Sequence, residues 1–140
     1  MPQIDCGFAN PAALVLHGPT LWVTIEPFPG QSGTATSHQI PALIDTGANV
    51  SALDDALAQQ LQLPIIDQAT VRTPAGLYTA NVYLGQIRLP QIFGVVQTGR
   101  FTGIQLQASG QVHRALLGRS LLNGFALFYD GRSGAVILSR

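Results

Sequence analysis

Asp45 stands in the run Ala42-Leu43-Ile44-Asp45-Thr46-Gly47-Ala48-Asn49, where a short apolar segment leads straight into Asp-Thr-Gly. The pattern predicts a carboxylate at the end of a buried strand, in a tight turn where glycine lets the backbone come close. A carboxylate in that position is costly unless it is paired or put to use. Two such groups held together can supply both a base that activates a water and an acid that donates a proton to the bond under attack. Charges about 4 Å apart at an effective dielectric near 20 repel by roughly 4 kcal/mol, or about three pKa units at 1.36 kcal/mol each. One acid then stays ionised as base while the other keeps its proton. Further along, Ala115-Leu116-Leu117-Gly118-Arg119-Ser120 again ends an apolar run in glycine, before a short helix-like segment.

The elements that must position these residues are mostly strands. Leu14-Val15-Leu16 and Leu21 to Glu26 read as strands around a turn at His17-Gly18-Pro19. Leu21, Val23 and Ile25 alternate with Trp22, Thr24 and Glu26, the period of a half-buried strand. Residues 28–39, rich in Gly, Ser, Thr and Pro, read as a connection. Ile40 to Ile44 is the strand leading to Asp45. One helix is expected next, with Ser51 as N-cap, Asp54 in the first turn, and Leu53, Ala56, Leu57 and Leu61 on one face; Pro64 ends it. Thr70 to Thr73 and Leu77 to Leu84 flank Pro74-Ala75-Gly76, which suits a hairpin tip. Ile87 to Leu89, Ile92 to Gln97 and Val112 to Leu117 read as further strands, with residues 99–111 open between strand and loop. Phe125 to Tyr129 and Ala135 to Leu138 flank a turn at residues 130–134, a closing hairpin. Short strands, glycine-rich turns and one main helix describe a mostly β protein, a small closed barrel or folded sheet.

The chain has 140 residues, 46% of them hydrophobic and only 10% charged. One domain spanning residues 1–140 is expected, with residues 1–11 as a loose lead-in. Formal net charge is zero, lysine is absent, and the seven arginines are scattered. That argues against a nucleic-acid partner, which calls for a basic footprint. The apolar runs are too short for a membrane-spanning helix. The first residues lack the basic and apolar stretches of a secretory signal, so a cytoplasmic location is expected. Cys6 is the only cysteine and reads as a plain thiol in a loose segment. His17, His38 and His113 have no metal-ligand spacing, and neither a nucleophile elbow nor a phosphate loop is present. No metal and no cofactor are expected.

On its two motifs, Asp45-Thr46-Gly47 and Leu116-Leu117-Gly118-Arg119, the chain resembles the retropepsins, the retroviral-type aspartic proteases. The order of elements fits that plan over about residues 12 to 126. The resemblance implies the acid protease fold, a peptide or protein substrate, and peptide-bond hydrolysis by water activated between two aspartates. This chain has a single Asp-Thr-Gly, and Asp5, Glu26, Asp54, Asp55, Asp67 and Asp130 lack that setting. The dyad therefore implies a symmetric homodimer contributing one Asp45 per copy. By resemblance Thr46 holds the two loops together across the axis, and Gly47 offers its carbonyl to substrate. Ala48 and Asn49 line the site, with Ala75, Gly76 and Leu77 at the tip of a flap that closes over substrate. Tyr78, beside that tip, is a further cleft residue. Leu116, Leu117 and Gly118 would pack beneath the Asp45 loop. Asn49 is a departure: viral members often carry an acid there, salt-bridged to the arginine matching Arg119, so here only a neutral-to-charged hydrogen bond is expected.

The rival reading is a catalytically silent peptide-binding or assembly module of the same fold. Dependence of inhibitor binding on Asp45 separates the two.

Overall fold

The structure, a computed structural model, describes residues 2–140, the side chain of Thr73 excepted. Ten strands carry most of the fold. Strand β1 (Gln3–Asp5) is followed by helix α1 (Pro11–His17), β2 (Thr20–Glu26), β3 (Ile40–Ile44), β4 (Ala52–Asp54) and helix α2 (Asp55–Gln60). Then come β5 (Ile65–Thr73), β6 (Gly76–Arg88), β7 (Val96–Ile104), a 3-10 turn (Gln107–Ser109), β8 (Ala115–Leu117), helix α3 (Arg119–Leu122), β9 (Ala126–Asp130) and β10 (Ala135–Ser139).

Seven strands form one sheet in the order β2-β3-β8-β4-β7-β6-β5, and an added β2–β6 pairing bends it back on itself. β3 runs parallel to β8, and β4 runs antiparallel to β8 and parallel to β7. Inside the curve lie Leu21, Val23 and Ile25 of β2, Ala42 and Ile44 of β3, and Leu53, Tyr83, Ile87, Phe101 and Leu117. The alternation read in β2 is therefore the core face of a closed sheet, which β3 shares, and the mostly β expectation holds. The second sheet, β1-β10-β9, is antiparallel and joins the two ends of the chain.

Four readings are corrected. Leu14-Val15-Leu16 belongs to a helix, because Asn10 caps Ala13 N at 3.1 Å, Pro11 opens the first turn and Gly18 closes it at φ +72°. Only Leu14 is buried, while Val15 and Leu16 face solvent. Ser51 is not the cap of the following helix: the chain first makes β4, and Asp54 caps α2 through Leu57 N at 3.3 Å. Leu53 is then a strand residue and Ala56 is exposed. Ile92 to Val95 form a turn rather than a strand. The first residues are not a loose lead-in: β1 pairs with β10, Cys6 N bonds Val136 O at 2.7 Å, and Cys6 is buried. Desolvation pushes its thiol up to about 12, with the Asp5 charge a smaller contributor. No described helix is long and apolar enough to cross a membrane.

Candidate active site

Strand alternation sets where Asp45 points. Ile40, Ala42 and Ile44 face the core, so Leu43 and Asp45 turn to the opposite face. There Leu43 lies in register with Leu116 of the parallel β8. Leu43, Asp45 and Leu116 line a cleft of about 330 Å³ together with Gln105, Leu106, Ser109, Gln111 and His113. Asp45 is half-buried at this cleft.

The loop that follows is held from several sides. Asp45 N donates to Leu117 O at 3.0 Å, so β8 continues the ladder to the aspartate itself. Gly47 N donates to Asp45 Oδ1 at 3.0 Å, and Ala48 N to Asp45 O at 3.2 Å, closing a tight turn. Asp45 Oδ2 has no hydrogen-bond partner among the described residues. The first amides of α3 take the next carbonyls: Arg119 N bonds Ala48 O at 2.9 Å and Ser120 N bonds Asn49 O at 3.0 Å. The Arg119 guanidinium donates to Thr46 O at 2.7 Å. The contact expected between Arg119 and the Asn49 side chain is thus replaced by one to the loop backbone. Thr46, Gly47 and Asn49 are exposed and Ala48 is half-buried.

Gly118 is required by contact. A Cβ there would fall on the Val50 carbonyl, so no larger residue lets β8 turn into α3 at this distance. Its amide donates to Ser51 Oγ at 3.1 Å; Ser51 donates to Gln97 Oε1 at 2.7 Å; Gln97 donates to Ser120 Oγ at 2.8 Å. This relay ties β7, α3 and the chain after the Asp45 loop together. Leu117 is fully buried beneath it, and Leu116 is half-buried at the cleft.

The cleft's far wall, residues 105–113, carries no motif and was not legible in advance. Asp54, 1% exposed, holds it in place. Asp54 Oδ1 accepts from Leu106 N at 3.2 Å and Gln107 N at 3.1 Å, and Oδ2 accepts from Arg114 Nε at 2.8 Å as well as capping α2. His113 is also buried, with Nε2 at 2.8 Å from Thr20 Oγ1. The Thr20 hydroxyl donates to Gly18 O at 3.0 Å, so the network assigns the donor role to Nε2. Burial first, and then the nearby His17, lower the His113 pKa below its ordinary value.

A second cavity of about 430 Å³ adjoins the first through Gln105, Leu106 and Ser109. Its other walls are Ile104 and a facing pair of the β5–β6 hairpin, Val71 and Tyr78. The hairpin tip, Ala75, Gly76 and Leu77, is exposed and lines neither cavity. Asp45 and Tyr78 thus border adjoining spaces, while the tip stands beyond them.

The described "gag-polyprotein putative aspartyl protease" family matches residues 32–124, well over half of the chain. That span runs from before β3 to just past α3 and so contains both motifs. Among solved structures, a retropepsin-like aspartic protease from Rickettsia conorii aligns over 97% of this chain and 89% of that chain, with TM-score 0.54 and 19% identity. At that identity the likeness is one of fold. No curated protein matches. With the family matched through both motifs and the overall fold shared with that structure, the chain belongs to the gag-type aspartyl protease family and has the retropepsin-like fold.

Proposed function

We propose that the protein is an aspartic endopeptidase, active as a homodimer, with residues 1–140 acting as one domain. Asp45 from each copy forms the dyad. The ionised carboxylate takes a proton from water as its oxygen attacks the peptide carbonyl, and the protonated one donates to the carbonyl oxygen. Collapse of the tetrahedral diol breaks the C–N bond as the amine leaves with a proton. The observation that carries this reading is the Asp45 carboxylate itself, half-buried at a cleft with Oδ2 unengaged and its loop clamped by β8 and α3.

In this reading Thr46 and Gly47 serve the dyad, and Ala48 and Asn49 contact substrate. The β5–β6 hairpin is the flap, with Ala75, Gly76 and Leu77 over the substrate backbone. The cavity walled by Val71, Tyr78, Ile104 and Leu106 suits an apolar side chain. Leu116, Leu117, Gly118 and Arg119 support the site. The reaction calls for no metal and no cofactor.

The test is cleavage of a diverse peptide mixture from about pH 3 to 8, comparing wild type with Asp45→Asn. Wild-type cleavage, strongest at acidic pH and lost in the variant, is the expected result. Equal cleavage by both removes Asp45 from the reaction. A folded dimer that binds peptides without cutting them, and binds equally well with Asn at 45, favours the silent module.

A further inference from the structure

Beside the cleft, on the outer face of β2 and β3, lies a hollow that the proposed chemistry does not use. It measures about 240 Å³ and is walled by Phe8, His17, Trp22, Pro41, Val112 and His113. Trp22 faces Pro41 and Thr20 faces Leu43 in the β2–β3 register, and all four leave the sheet on the side away from the core. Pro41, Leu43 and Asp45 therefore follow one another on a single face, Pro41 in the hollow and the other two in the cleft. His113 borders both spaces, and its bond to Thr20 makes it a fixed divider between them. The other walls are also held. Phe8 N donates to Gly134 O at 3.1 Å, the Phe8 and His17 rings meet with centroids 5.5 Å apart, and Gln91 Nε2 donates to Trp22 O at 2.9 Å. Yet Trp22 and Val112 are 49% and 63% exposed. A preformed concavity that leaves large apolar side chains in water has the character of a binding site.

We infer that this hollow takes an apolar side chain of the peptide held in the Asp45 cleft, about four residues from the bond to be cut. Continuity and charge identify the occupant. The chain covers about 13 Å between Asp45 and Pro41 at roughly 3.3 Å per strand residue, and an extended peptide spans that distance in about four residues of its own. The described lining holds no carboxylate and no arginine, and His17 packs its ring on Phe8. A charged side chain would therefore give up water without gaining an ion-pair partner. Leucine, methionine or phenylalanine instead gains burial against Trp22, Phe8 and Val112. Each chain carries one hollow, so a two-fold dimer offers it on both sides of the scissile bond. The protein thus selects peptides by large apolar residues well outside the cut. That preference is set by the outer face of the β2–β3 pair and the segment around α1, away from the Asp45 loop.

This inference rests on the reading of the Asp45 cleft as a peptide site. Trp22 lets it be tested apart from cleavage, because it is the only tryptophan in the chain. The first experiment titrates Asp45→Asn with short glycine-serine peptides that carry two leucines at graded spacing and no aromatic residue. The expected result is a saturable blue shift of Trp22 emission, greatest near a spacing of about four residues and absent with aspartate in place of the second leucine. The second experiment follows wild-type cleavage of peptides with leucine or aspartate at each position flanking the cut. Leucine is favoured by about tenfold or more in kcat/KM near the fourth residue. Val112→Leu keeps that preference and Val112→Asp loses it. The titration alters nothing in the hollow, so it decides even where Val112→Asp disturbs the fold. Trp22 emission blind to the second leucine, or a preference that survives Val112→Asp, overturns the proposal. So does emission that shifts with protein concentration alone, which puts a second copy in the hollow. Peptides that shift Trp22 in a protein that never cuts refute the enzyme and not the hollow, and cutting with Trp22 silent does the reverse.

Discussion

Single residues decide how well the cleft is held. Gly118→Ala drives a methyl group into the Val50 backbone, and overpacking of this kind costs about 1–3 kcal/mol. Thermal unfolding is expected to show that loss, with activity falling further because α3 and the Asp45 loop move together. Asp54 is a larger case. It is buried, pairs with the half-buried Arg114 and holds two amides of the cleft wall. Asp54→Ala leaves the Arg114 charge without its partner, for a loss of about 3–5 kcal/mol in denaturant unfolding. His113 sets a pH dependence. Its folded pKa lies below its unfolded value, so the stability it contributes is complete above about 6.5 and is lost as pH falls through the lowered folded value. Glu26 acts in the same sense at lower pH. Burial raises its pKa, but hydrogen bonds from Arg88, Gln86 and Thr24, with the Arg88 charge, outweigh that and lower it. The melting temperature is therefore expected to drop on the acid side, and His113→Gln removes the part of that slope just below neutrality. The proposed acidic activity and the stability of the fold thus pull in opposite directions.

Among the elements, those whose faces are set by strand alternation were legible from the residues. Leu21, Val23 and Ile25 marked the core face of β2, and Ile40 to Ile44 led to Asp45 as expected. The hairpin tip at Pro74–Ala75 was legible from its turn chemistry. Helix α1 was missed because Leu14-Val15-Leu16 is as apolar as a strand, and the decisive signal was the Asn10-Pro11 start just before it. Ser51 and Asp54 were both read as helix-start residues. Instead Ser51 relays between strands, and Asp54 caps the helix while reaching Leu106 and Gln107, more than fifty residues away. No local pattern reports such a bond, which is why the far wall of the cleft stayed hidden while Asp45 did not. The β5–β6 hairpin yields a further prediction. Its residues are exposed at 74–77, whereas Ala80, Val82, Tyr83 and Ile87 are buried in the shaft. Amide hydrogen exchange is expected to be fast from Arg72 to Tyr78 and strongly protected from Val82 to Ile87. Uniform protection to the tip would deny the hairpin the motion a flap needs.

At the scale of the whole molecule, the two ends of the chain lie side by side. Gln3 pairs with Ser139, and Arg140 N reaches Pro2 O at 3.2 Å. A linker of a few residues can bridge them, so circular permutation is open to this fold. New ends cut into the exposed segment around Gly30 to Ser32, where no strand or helix is interrupted, leave every ladder intact. The same closeness means that sequence fused at either end departs from one place on the surface. The domain can then sit inside a longer polypeptide as a cassette, its neighbours joined almost as if it were absent.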